Sequence, residues 1–75
     1  MGRLRPICAR KVIQKLKKAG FVELHQRGSH RYFESGDGER FVTVPVHGSR
    51  DIPVGTLYSI VVKQARLSIE EFQSL

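Results

Sequence analysis

Two runs rich in β-branched and aromatic residues, FVELHQ (21–26) and HRYFE (30–34), are separated only by Arg27-Gly28-Ser29. So short a reversal admits few solutions. Gly28-Ser29 as a two-residue loop suits a type II′ turn, in which glycine takes the positive φ without steric cost. That turn sets a register in which 27 faces 30, 25 faces 32 and 24 faces 33. Val22, Leu24 and Phe33 then share a face suited to packing, and Glu23, His25, Arg27, His30 and Tyr32 share a face suited to water. A three-residue loop would pair Leu24 with Tyr32 and mix the two sets, since a slip of one residue turns every side chain over.

The rest of the chain supplies partners for the apolar face. ARKVIQKLKKA (9–19) places Ala9, Val12, Ile13, Leu16 and Ala19 at helical spacing, with basic residues around the remaining surface. Gly20 stands where a left-handed cap closes such a helix, while Cys8 is a poor residue to begin it. After the turn residues SGDGE, RFVTVPV (40–46) reads as a third strand with Val42 and Val44 inward and Phe41, Thr43 and Pro45 outward. Pro45 lacks an N–H, so it marks an edge position or a strand end. HGSRD (47–51) reads as a loop. A second helix opens near Pro53 and runs to about Ala65, with Leu57, Ile60, Val61 and Gln64/Ala65 as its stripe. In LSIEEF (67–72), Ser68 and Glu71 form a capping-box signature, and Leu67 and Phe72 stand at staple spacing. The order α-β-β-β-α with a short C-terminal helix predicts an α+β domain over residues 1–75. Its three-stranded antiparallel meander carries both helices on one face and leaves the other open.

Charge narrows the partners. The net charge is +6, and residues 1–33 hold nine Lys/Arg against Glu23 alone, whereas residues 34–75 hold four basic and six acidic residues. A polyanion is the first partner to consider, although a solvated lysine face produces the same pattern. One cysteine, Cys8, excludes an internal disulfide and argues against a cysteine zinc site. No apolar run suits a signal peptide or a membrane span, so a cytoplasmic setting is expected.

The open face holds the chemistry. His30 lies there beside Arg27 and across from Pro45, with His47 two residues beyond Pro45 and His25 one strand away. Histidine exchanges protons near neutrality, its unperturbed pKa being about 6.5. RNA cleavage needs a base for the attacking 2′-hydroxyl, an acid for the departing 5′-oxygen and cations for the phosphorane charge. His30, Arg27, Arg31 and the Gly28-Ser29 amides are candidates for these tasks, with His47 as a candidate second proton-transfer group. A surface histidine beside a turn is also commonly inert. Zinc binding by His25, His30 and His47 is disfavoured because no two lie at i, i+4 on a helix. A Ser29–His30 nucleophile pair is disfavoured because neighbours on a strand point to opposite faces. Tyr32 and Phe41 are candidates for base stacking.

Taken in order, ARKVIQKLKKAGF, QRGSH, TVPVH, GTLYSI and LSIEEF resemble the HicA family of toxins, the mRNA interferases of HicA–HicB toxin–antitoxin modules, across roughly residues 6–72. The resemblance implies a fold like the double-stranded-RNA-binding domain and a translation-independent ribonuclease. It also implies a catalytic histidine in the Gly-Ser-His motif, here His30, and a HicB antitoxin that covers the active site. Three features depart from the family pattern. Cys8-Ala9 replaces a serine cap. IVVKQARL (60–67) is one residue longer, with Val62 as the extra residue, which rotates the remainder of the helix by about 100° unless a π-bulge absorbs it. Arg66 replaces a helix-ending glycine, and a left-handed arginine costs on the order of 1 kcal/mol.

These readings lead to an endoribonuclease toxin that works without a cofactor or metal, free as a monomer or complexed with its antitoxin. His30 is its acid or base, Arg27 and Arg31 hold phosphate, and Gly28 and Ser29 shape the turn. Tyr32 and His47 lie alongside, and Lys11, Lys15 and Lys18 supply sequence-independent RNA affinity. The alternatives are a non-catalytic RNA-binding module on the same scaffold and a protein-interaction domain for an acidic partner.

Overall fold

The computed structural model describes residues 3–75, so Met1 and Gly2 of the expected 1–75 domain lie outside the described residues. Its elements are β1 (Ile7–Cys8), α1 (Ala9–Lys18), β2 (Val22–Arg27), β3 (His30–Glu34), β4 (Phe41–Pro45) and β5 (Asp51–Ile52), followed by α2 (Val54–Tyr58) and α3 (Ile69–Gln73). The chain is α+β, with a three-stranded antiparallel sheet in the order β2-β3-β4. Phe33, Val42 and Val44 bury its inner face against Ala9, Val12 and Leu16 of α1 and the stripe of the second helix. β1 and β5 add a small ribbon, pairing Ile7 with Ile52 and Cys8 with Asp51. The sequence reading took Asp51 as loop, because a two-residue strand is too short to show a period.

α1 ends as its sequence dictates. Gly20 adopts φ +95°, and the Phe21 amide donates to the Leu16 carbonyl at 2.9 Å. This is the wide hydrogen bond of a Schellman cap, in which the residue after the glycine packs back on the helix. Phe21 is accordingly buried. Cys8 gives α1 no side-chain cap, and Ser68 and Glu71 complete the predicted capping box of α3.

That cap reshapes β2. With Phe21 committed to the core, strand alternation turns Val22 outward and Glu23 inward. Counting back from the turn gives the opposite phase, with His25 outward opposite Tyr32. The conflict is one residue, and a bulge at Leu24 absorbs it: Glu23 faces Phe33, His25 faces Tyr32 and Leu24 drops out of register. The expected 24–33 pair and the apolar Val22/Leu24 face are therefore corrected. Val22 is 60% and Leu24 49% exposed, while Glu23 turns to the inner side and forms a two-pronged ion pair with Arg31.

The second helix absorbs its own extra residue. After α2 the chain continues as a π-helix over Ser59–Gln64, so Val62 is accommodated without displacing the buried Ile60, Val61 and Ala65. The wide spacing continues into the cap, where the Ala65 amide reaches the Ile60 carbonyl and the Leu67 amide reaches that of Val61, both at 2.9 Å. Arg66 takes φ +56°, the left-handed conformation expected where a glycine is usual. Two side chains anchor this end. Gln64 Oε1 accepts from the Thr43 amide at 2.8 Å, and Arg40 donates to the Ala65 carbonyl at 2.9 Å while its guanidinium lies over the Phe21 ring.

Candidate nucleic-acid interface

The β2-β3 turn has positive φ at Gly28 and not at Ser29, as a II′ geometry requires, and Arg27 faces His30 across it. Beyond the sheet end, the Val46 amide donates to the Ser29 carbonyl at 2.6 Å. The segment after β4 is thereby held against the turn that precedes His30.

Register and alternation arrange the outer face as three rows across β2, β3 and β4. Arg27, His30 and Pro45 form the row at the turn; His25, Tyr32 and Thr43 the middle row; Val22, Glu34 and Phe41 the far row. His30 and Arg27 are exposed. In the middle row, the His25 and Tyr32 rings stack with centroids 4.6 Å apart and planes 18° from parallel. Just past the turn row, His47 and Arg50 line a cavity of about 400 Å³ with Pro45, Asp51, Ile52, Pro53 and Thr56. The turn row, His47 and Arg50 thus border one end of the sheet.

The structure brings together Arg27, Gly28, Ser29 and His30, with Tyr32 in the next row and His47 on the adjoining segment. It separates the remaining candidates. Arg31 follows His30 in sequence and so points to the inner side, where Glu23 holds it through Nε at 2.8 Å and a second hydrogen bond through Nη2. That hydrogen bond from Arg31 is the main reason the Glu23 carboxyl titrates below its ordinary value. Lys15 is engaged by the C-terminal end: its Nζ donates to the carbonyls of Phe72 at 3.1 Å and Leu75 at 3.2 Å and lies 5.1 Å from the centre of the Phe72 ring. Lys11 and Lys18 are exposed, but on the helical layer, with the sheet between them and His30. Arg50 escaped the sequence reading. Its only signal was a cation inside the turn-like HGSRD, and its relation to His47 emerges only when that loop folds back.

Among the described residues no three His, Cys, Asp or Glu side chains converge to hold a metal ion, and no helix is long and apolar enough to cross a membrane. What this end of the sheet offers is an imidazole and cations in reach of solvent, at a tight turn.

The family model described as the HicA toxin of bacterial toxin-antitoxin matches residues 9–67. The chain belongs to the HicA toxin family. The match runs from the first residue of α1 to the left-handed cap of the π-helix and takes in the whole three-stranded sheet. A HicA chain is the toxin of a toxin–antitoxin module; the family pairs with HicB antitoxins and is generally one of ribonucleases. No individually curated protein matches this HicA chain.

Proposed function

We propose that this HicA chain is an endoribonuclease that cleaves mRNA with His30 as general acid or base and is neutralised when a HicB antitoxin covers the active site. The observation that carries the reading is the turn row. An exposed imidazole stands opposite an exposed arginine, at a reversal whose far side is tied to the segment bearing His47 and Arg50.

In this mechanism a base takes the proton of a 2′-hydroxyl, whose oxygen attacks the adjacent phosphorus. The P–O5′ bond breaks and the departing 5′-oxygen takes up a proton. The products are a 2′,3′-cyclic phosphate and a 5′-hydroxyl. An imidazole performs either transfer because it can hold or release a proton near neutrality. Arg27 neutralises charge on the phosphorane, and the backbone amides of the turn add donors without side-chain reorganisation. His47 stands as the second proton-transfer group, and Arg50 as a further cation. Arg31 has no direct part, since its guanidinium is held by Glu23 on the other side of the sheet.

Incubating purified protein with RNA tests the reading. Wild type shortens the RNA and leaves cyclic phosphate ends, a 2′-deoxy substitution at the cut nucleotide blocks that cut, and His30→Ala binds RNA without shortening it. A non-catalytic RNA-binding module binds in every case and cuts in none.

A further inference from the structure

The far row of the outer face contains two apolar side chains with no cover and an acid between them. Val22 is 60% and Phe41 58% exposed, and Glu34 lies between their strands. Nothing in the proposed chemistry uses this row. The middle row, in which the His25 and Tyr32 rings stack, lies between it and the turn row.

We propose that the far row is a base-binding subsite for single-stranded RNA, with Phe41 as its stacking surface and Glu34 as its specificity determinant. This deepens the nuclease reading by naming how the substrate is held, and it rests on that reading for the position of the cut. Three features favour such an occupant. The first is spacing. Rows two residues apart on a strand are separated by about 7 Å. Bases stacked in a helix lie about 3.4 Å apart along one strand. A base on the His25–Tyr32 pair and the next on Phe41 are therefore too far apart to stay stacked on each other, so the fit is to an unstacked strand.

The second feature is shape. Three strands make a face only about 10 Å wide between its outer strands. So narrow a platform presents aromatic surface to splayed bases and has nothing to insert into a duplex groove. The third is charge. The turn row is cationic at Arg27 and suits phosphate, whereas the Glu34 carboxylate repels phosphate and accepts hydrogen bonds. It accordingly selects the amino-bearing edge of a base, as carboxylates do with cytosine N4. A polar acid flanked by Phe41 and Val22 is thus complementary to a base and not to backbone. The face as a whole runs from a phosphate end to a base end, in a chain of net charge +6.

The test measures binding of wild-type protein to a short fluorescein-labelled 2′-O-methyl RNA, which has no free 2′-hydroxyl to attack, by fluorescence anisotropy. The same strand annealed to its complement is measured beside it. The expected results are tighter binding of the single strand than of the duplex and a loss of about tenfold or more for Phe41→Ala. Phe41→Tyr retains affinity, and Glu34→Ala narrows the difference between cytosine-rich and uracil-rich strands. Thermal melting of each variant checks that it is folded. Single-strand affinity unchanged in Phe41→Ala overturns the subsite, as does equal affinity for duplex. A Phe41→Ala protein that keeps RNA affinity but no longer captures the HicB partner also overturns it, because the row is then a protein contact. Since no step of this test needs cleavage, a protein that binds as expected but never cuts RNA retains the subsite and loses the nuclease reading.

Discussion

The two faces of the β2-β3-β4 sheet are made from the same strands and have opposite requirements. On the inner face, Phe33, Val42 and Val44 are buried, and the charged pair Glu23–Arg31 is satisfied within itself. On the outer face, histidine, arginine and uncovered aromatic side chains stand in rows with no internal reason to be there. Residues one apart in sequence, His30 and Arg31 among them, therefore belong to different problems. One face sets whether the chain folds; the other sets what it can touch.

That contrast is exposed most severely by paired substitutions of phenylalanines. Phe33→Ala removes a fully buried ring and is expected to lower stability by about 3–5 kcal/mol. Phe41→Ala, on the opposite face, is expected to change stability by less than about 0.5 kcal/mol. Chemical denaturation of both variants measures this, and equal losses would break the distinction between the faces.

How much of this was legible depended on whether one local rule acted alone. Near the turn it did: Gly28 required a positive φ, and the pairs Arg27–His30 and His25–Tyr32 resulted. At the start of β2 two rules competed. Gly20 drove Phe21 into the core while the turn drove His25 outward, and only the folded chain shows the bulge at Leu24 that reconciles them. The expected burial of Val22 and Leu24 failed for that reason, and with it the placement of Glu23 in water. The second helix posed the same one-residue problem at Val62, but there the excess was visible beside a family pattern and a π-helix was a foreseeable answer. The exposed position of His30 opposite Arg27 was legible because it sits at the turn. The partners of Arg31 and Lys15 were not legible, because charge in a sequence does not reveal which cations are held by Glu23 or by the carbonyls of Phe72 and Leu75.

The π-helix provides the next largest effect. Arg66→Gly relieves a left-handed side chain and is expected to stabilise the fold by about 1 kcal/mol, read as a higher melting temperature with RNA binding unchanged. A loss of stability would mean that the arginine makes compensating contacts.

The two arginines beside the turn sharpen the comparison further. Arg27→Ala is expected to weaken RNA binding and to flatten its dependence on log salt by about 0.7, the change for one phosphate that the protein no longer neutralises, with melting unaltered. Arg31→Ala is expected to leave that slope alone and to cost less than about 1 kcal/mol of stability, the usual range for a partly exposed ion pair. Reversal of these two outcomes would place the RNA on the wrong face.

The smallest effect is on the acid side. Glu23 has its pKa lowered in the fold, first by the hydrogen bond from Arg31, so unfolding raises it back towards the ordinary 4.5. The stability it contributes is present above that value and is lost as pH falls through the lower, folded value. Glu71, lowered by the Ser68 cap, and Asp37, lowered by Ser35, act in the same direction. Denaturation against pH in wild type and Glu23→Gln should show a slightly shallower acid decline in the variant, and no difference between them would remove the pair from the stability of the inner face.

The most direct measurement is the rate of RNA cleavage by wild type and His30→Ala, with melting temperature and RNA affinity taken on the same samples. The account predicts a fall of about 10²- to 10⁴-fold in rate, the usual contribution of a proton-transfer group, with folding and binding preserved. Cleavage that survives the loss of this imidazole, in a folded protein that still binds RNA, would contradict it.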